Sequence, residues 1–162
     1  MEIKKKTFEY TEWPSLNELS ASDQELVAIA KDALSRSYAP YSRFHVAAAL
    51  RLSNGEVVTG TNQENAAYPS GLCAERVAIF AAKHQYPDVP IETIAITASS
   101  EKFEVDHPIS PCGACRQVML EYELNQSTPI RVILKGEQGK VLIVHSAQTF
   151  LPFFFHEDAL KK

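Results

Sequence analysis

Apolar and polar positions fall into different rhythms along this chain, and each rhythm predicts an element. Leu26, Ile29, Ala30 and Ala33 recur at helical spacing, so residues 22–36 read as an amphipathic helix with Ser20 or Ser22 as its cap. Pro40 ends that segment, because proline biases the residue before it away from helix. Two strand-like runs, Phe44 to Leu52 and Glu56 to Asn62, flank Asn54-Gly55. Asn-Gly between such runs signals a hairpin, so strands over 45–52 and 56–62 pair antiparallel. Ile91 to Ala98 is almost continuously apolar, which suits a strand buried on both faces. Helices are expected over 73–85 and 112–124, and strands over 130–134 and 141–144. Thr7 to Trp13 alternates and reads as either a short strand or an arm lying on the body. Residues 62–71 and 100–111 are loops, and residues 147–160 form a short helical segment broken at Pro152.

The order α-β-β-α-β-α-β-β plus a tail alternates helices with buried strands. It predicts an α/β fold, a mixed five-stranded sheet with helices on both faces. No internal repeat or low-complexity linker divides the chain. A single domain over residues 22–162 is therefore expected behind an N-terminal extension of residues 1–21.

Composition narrows the function. The 162 residues are 45% hydrophobic and 22% charged, enough for one full core. The net charge of −4 and pI near 5.7 argue against a partner gripped through many phosphates, such as long nucleic acid. They leave an uncharged nucleoside open. No apolar run is long enough to span a bilayer, and Met1 to Lys6 opens no apolar signal-peptide core, so a cytoplasmic protein without membrane contact is expected. Three cysteines is an odd number for a disulfide scaffold and suggests free thiols in a reducing compartment.

All three cysteines lie at predicted helix starts. Cys112 and Cys115 are three apart, which sets both sulfurs on one side of a first turn. Alone, that pair could be a redox motif or half of a structural zinc site. Cys73 adds a third thiol where a helix dipole favours thiolate. A structural zinc site is closed by four protein ligands, whereas a catalytic one keeps three and leaves the fourth position to water. His107, on the loop before Cys112, is the alternative fourth ligand. Glu75 has no structural use in a zinc pocket beyond favouring a helix start, but it can carry protons there. Zinc with three thiolates has a formal charge of −1, which weakens its pull on water. Arg76, hydrogen-bonded to a thiolate, could offset that charge, as could the two helix ends; a surface arginine is the plain alternative. Arg116 and Gln117 are weaker candidates for the same support. On a regular helix Cys73 and Glu75 point to opposite sides, so substrate is expected to lie across the helix end.

Five segments together resemble the small, zinc-dependent, three-cysteine cytidine deaminase family. They are Cys-Ala-Glu-Arg at 73–76, Pro-Cys-Gly-Ala-Cys-Arg-Gln at 111–117, Asn-Gln-Glu-Asn-Ala-Ala-Tyr at 62–68, Tyr-Ser-Arg-Phe-His-Val at 41–46 and Leu-Pro-Phe-Phe-Phe at 151–155. The resemblance covers residues 22–160 and implies a three-layer α/β/α fold. It implies one Zn²⁺ per chain held by Cys73, Cys112 and Cys115. It further implies hydrolytic deamination of cytidine and 2′-deoxycytidine, within pyrimidine salvage. In the zinc deaminases hydroxide attacks C4 while a glutamate that is not a ligand moves the protons, a role that falls here to Glu75. Asn62 and Glu64 resemble the pair that binds ribose hydroxyls, Phe44 the aromatic beside the pyrimidine, and Ala74 a further substrate contact. Without the family, Asn62 and Glu64 read equally as turn residues and Phe44 as core. Similar proteins are homotetramers with shared sites, which implies that Ala66, Tyr68 and Phe155 reach substrate in a neighbouring subunit. The chain departs from the pattern at Ala47, where many relatives carry glycine, in its first 20 residues, and after Phe155. The enzyme alternative is a related three-cysteine deaminase of the blasticidin type. From another class, the alternative is a structural zinc module, which would have no use for Glu75.

Overall fold

The computed structural model describes residues 1–156 and 160. Three helices, α1 (Ala21–Ala33), α2 (Ala74–Gln85) and α3 (Gly113–Gln126), pack on a mixed sheet. Its strands are β1 (Thr11–Trp13), β2 (Phe44–Leu52), β3 (Val57–Thr61), β4 (Ile91–Ser100), β5 (Arg131–Lys135) and β6 (Val141–Val144). Their order across the sheet is β1-β6-β5-β4-β2-β3, with β4 and β5 parallel and the other pairs antiparallel.

The period of two along each strand sorts side chains to two cores. Ala49, Ala95, Ile133 and Ile143 face α1, where they meet Leu26, Val27 and Ala30. Ala48, Leu50, Ile94, Ile96, Val132 and Leu134 face α2 and α3, meeting Ala78, Ile79 and Met119. The result is the expected three-layer α/β/α sandwich. The sheet has six strands, however, not five. Residues 11–13 pair with β6 through Thr11↔Ile143 and Trp13↔Val141, placing the alternating N-terminal stretch on the sheet edge. Ala47 is fully buried in β2, opposite Thr61 and Thr97.

Local signals explain the element ends. Gly55 takes a left-handed φ of 88° in the β2–β3 turn, a conformation glycine adopts at no steric cost. Ser20 caps α1 by accepting the N–H of Asp23 at 3.2 Å. Residues 34–36 continue α1 as a 3-10 turn, and residues 147–150 form another in place of the helical tail segment. The rest of the expected tail element runs into residues outside those described.

Strand direction fixes where α2 and α3 begin. β3 and β4 both run antiparallel to β2, which lies between them. They are therefore parallel to each other, and their carboxyl ends share one edge of the sheet. α2 follows β3 and α3 follows β4, so both helices start beyond that edge, where α/β folds bind ligands. Gly60 lets α2 press backbone to backbone on β3: a Cβ there would stand 2.3 Å from Ala78 N and 2.7 Å from Ala74 O. At the far end of α3, buried Glu123 accepts Ile130 N and Ala147 N, each at 2.7 Å, and the Ser146 hydroxyl at 2.6 Å. One carboxylate thus ties α3 to β5 and to the turn after β6.

Candidate metal centre and active site

Cys73 and Cys112 are the N-cap residues of α2 and α3, both in extended backbone. Neither side chain makes a capping hydrogen bond, so the first N–H groups and the positive ends of both helices are left for whatever occupies the space between them. The expected helix start is one residue early on each: α2 begins at Ala74 and α3 at Gly113. That shift resolves the Cys73–Glu75 geometry. Cys73 is not helical, so the opposition expected of residues two apart on a helix does not apply. Both line one cavity.

The three sulfurs lie within 4.8 Å of one another and form no disulfide. Cys73 Sγ and Cys112 Sγ are 3.6 Å apart, and Cys112 Sγ and Cys115 Sγ are 3.4 Å apart. Tetrahedral zinc with Zn–S near 2.3 Å sets sulfurs about 3.8 Å apart, so the donor set fits one zinc ion. His107 is exposed, contacts Asp106 at 2.9 Å and does not join the cluster.

The sulfurs divide charge unequally. A hydrogen bond from Cys115 holds the Cys73 thiol down to about 5, with Cys112 and Arg76 assisting and burial opposing. The same bond pushes Cys115 well above the ordinary thiol range, reinforced by burial and by the charge of Glu75. Arg76 Nη2 lies 3.9 Å from Cys73 Sγ and 3.5 Å from the Gly71 carbonyl. Arg76 Nε is buried with no hydrogen-bond partner among the described residues, a spare donor beside the thiols. Burial opposes the guanidinium charge, but contact with Cys73 outweighs it and raises its pKa. Glu75 is 4% exposed, and burial lifts its carboxyl above the usual range, helped by the charge on Cys73.

Outside the thiols is an open cavity of about 790 Å³, within the range of small-molecule sites. Phe44, Asn62, Glu64, Cys73, Glu75, Arg76 and Cys112, all marked in the sequence, line it, as does Tyr68, which was expected to reach a neighbour's substrate. Glu64 Oε2 accepts Tyr41 N at 2.9 Å and Ser42 N at 3.2 Å. Burial works against that carboxylate, but the donors of Ser42 and Tyr41 outweigh it and hold the pKa below the usual value. Asn62 accepts Val46 N at 2.8 Å and donates to the Phe44 carbonyl at 2.9 Å, so its amide stitches the loop to β2. Ala66, Ala74, Gln117 and Phe155 do not line the cavity. Ala74 is buried in the core, and Gln117 donates to the Phe155 carbonyl at 2.9 Å. Arg116 Nε donates to the Pro111 carbonyl at 2.8 Å.

Sequence reasoning missed Tyr41, Ser42, Val46, Asn65, Gly71, Leu72, Ile109 and Ser110 as lining residues. Leu72 and Ser110 lie one and two positions before cap cysteines, and that adjacency was the available signal. Ile109 is brought in by a loop whose course is set remotely. Val105 is fully buried and bonds Glu137 in both directions, and Gly136 leaves no room for a Cβ against the Val105 and His107 carbonyls.

The α/β/α sandwich thus brings three thiols, a buried carboxylate and an open cavity of small-molecule size to one edge of its sheet. The family model of the cytidine and deoxycytidylate deaminase zinc-binding region matches residues 20–128. A cytidine deaminase from Halalkalibacterium halodurans is 44% identical over 135 residues, 83% of this chain and 96% of that protein. One from Sporosarcina psychrophila is 41% identical over 115 residues, 70% of this chain and 79% of that protein. The crystal structure of a cytidine deaminase from Burkholderia pseudomallei superposes with a TM-score of 0.71 at 39% identity, covering 85% of this chain and all of that one. The chain belongs to the zinc-dependent cytidine deaminase family, and its cofactor is one Zn²⁺ per chain. No helix among the described residues is long and apolar enough to cross a membrane.

Proposed function

We propose that this chain deaminates cytidine and 2′-deoxycytidine, with Cys73, Cys112 and Cys115 holding the zinc and Glu75 carrying the protons. The observation that bears most of this reading is Glu75, buried beside the sulfurs and lining the same cavity. Zinc, when bound, supplies a Lewis acid that makes water a nucleophile near neutral pH. Glu75 accepts a proton from the attacking water and delivers it to ring N3 as the C4–O bond forms. It then takes the proton of the new C4 hydroxyl and carries it to the amine as the C4–N bond breaks and the C4 carbonyl forms, so cytidine and water become uridine and ammonia. Burial favours this task, because it brings the carboxyl's affinity for protons closer to neutrality. Arg76 sets its charge against the thiolates.

Substrate is oriented by the loop side of the cavity. Phe44 offers a ring face to the pyrimidine. Glu64 has Oε2 committed to backbone and Oε1 available for a ribose hydroxyl. Asn62, with one bond on each side-chain atom, retains one donor hydrogen and one acceptor lone pair. Among the described residues no Gly-rich phosphate-binding loop lines the cavity, which fits a nucleoside better than a nucleotide. Tyr68 and Phe155 are 78% and 59% exposed in their own chain and Ala66 is exposed too, as groups that complete a neighbour's site in a homotetramer would be. We further propose that residues 22–162 are the catalytic domain of a cytoplasmic enzyme of pyrimidine salvage, a location that three free cysteines support.

The test is the loss of cytidine absorbance with and without a chelator, repeated with 2′-deoxycytidine, adenosine, cytosine and dCMP. Zinc-dependent turnover of the two pyrimidine nucleosides is expected. Faster turnover of dCMP or adenosine would contradict the reading.

A further inference from the structure

The first thirteen residues take no part in the proposed chemistry, yet they meet the far end of the chain. β1 joins the sheet beside β6, and Thr11 Oγ1 contacts His145 Nε2 at 3.2 Å. Upstream, residues 6–10 cross a cavity of about 1010 Å³ over the β6 edge and the turn after it. On its far side Lys6 Nζ donates to the Pro152 carbonyl at 2.7 Å. The same ammonium stands 6.0 Å from the Phe153 ring centroid and 5.9 Å from that of Phe154, within reach of both ring faces. From the opposite side, Gln117 on α3 donates to the Phe155 carbonyl. The tail is thus tied at 152 from the N-terminal arm and at 155 from a zinc-site helix. Ser110 lines both this cavity and the one at the thiols, so arm, tail and site share a wall.

An isolated surface lysine is worth little to stability. Lys6 differs because one ammonium makes three contacts, all within three consecutive tail residues. Among the described residues it makes no ion pair with a carboxylate. Phe153 is 90% and Phe155 59% exposed, so packing holds neither ring in place. We infer that Lys6 is a positioning residue: anchored through β1, it fixes the course of residues 152–155 and thereby the presentation of Phe155. The consequence for substrate rests on the proposed role of Phe155 in a neighbouring site.

The test compares Lys6→Met, which keeps the stem and removes the charge, with Lys6→Arg, which keeps a donor and a cation over the rings. Chymotrypsin cleavage after Phe153, Phe154 and Phe155 is followed by fragment mass in the zinc-loaded full chain. Lys6→Met is expected to be cut about threefold faster and Lys6→Arg at the wild-type rate. Emission from Trp13, the sole tryptophan, stays unchanged because β1 remains paired. KM for cytidine rises about threefold in Lys6→Met at constant kcat, and Lys6→Arg restores it. Equal cleavage of wild type and Lys6→Met overturns the inference. Faster cleavage with unchanged KM, where Phe155→Ala raises KM, overturns the positioning role. If Phe155→Ala leaves KM unchanged, the reading of Phe155 fails, and the cleavage rates still decide whether Lys6 holds the tail.

Discussion

At the start of α1, the Ser20 hydroxyl accepts the N–H of Asp23, and Asp23 adds negative charge to the first turn. Asp23 also grips Arg131 of β5 with both oxygens, at 2.6 and 2.9 Å. At the starts of α2 and α3 the cap residues are cysteines that make no capping bond. A serine-type cap contributes about 1 kcal/mol, so each of these helices forgoes roughly that much. What they keep is a positive end directed at a cluster of thiols. α1 closes its end for stability, and α2 and α3 leave theirs open for chemistry. The same sheet supports both because only α2 and α3 follow parallel strands to a shared edge.

The sharpest break in this comparison is Glu75→Gln, which keeps shape and removes the proposed proton carrier from the open end. Turnover is expected to fall about 10³- to 10⁴-fold, with zinc content and melting temperature near wild type. Turnover within tenfold of wild type would remove Glu75 from the mechanism. Next in size is Gly60→Ala. Its methyl has no room against the backbone of α2, so a loss of about 3 kcal/mol in denaturant unfolding is expected, with weaker zinc retention. The same change at Gly55, where nothing lies within 4 Å, strains only the turn and spares the zinc. Arg76→Gln should lower kcat or zinc affinity about 10- to 100-fold, because the Cys73 thiolate loses its cationic neighbour. Unchanged values of both would make Arg76 a bystander. The smallest effect belongs to the closed end. Ser20→Ala should cost about 1 kcal/mol of stability and leave kcat and KM untouched.

Much of this arrangement is legible in the residues themselves. Ser20, Asn54-Gly55 and the apolar run of β4 each carry a local signal that the fold obeys. The thiols could be counted, but the count left His107 open as a fourth ligand until the fold placed it outside the cluster. Other features depend on partners distant in sequence. β1 is three residues long, and its pairing with β6 spans most of the chain, so its alternation could not be told from that of a loose arm. The position of Ile109 depends on Gly136 and Glu137, over 25 residues away. Asn62 and Glu64 looked like residues free to read a sugar. In the fold both are partly engaged by the backbone of the 41–46 segment, which builds the cavity wall as well as facing it. One residue of error at the start of α2 was enough to put Cys73 and Glu75 on opposite sides of a helix that Cys73 does not belong to.

Three sulfurs with a fourth position left for water are the core of the proposed site. X-ray absorption at the zinc edge of the purified, zinc-loaded chain reads that directly. Three scatterers at a Zn–S distance near 2.3 Å and one light scatterer near 2.0 Å are predicted, with the light atom exchanged when a tight-binding nucleoside analogue is added. Fewer than three sulfurs, or a histidine signature in the fourth position, would contradict it.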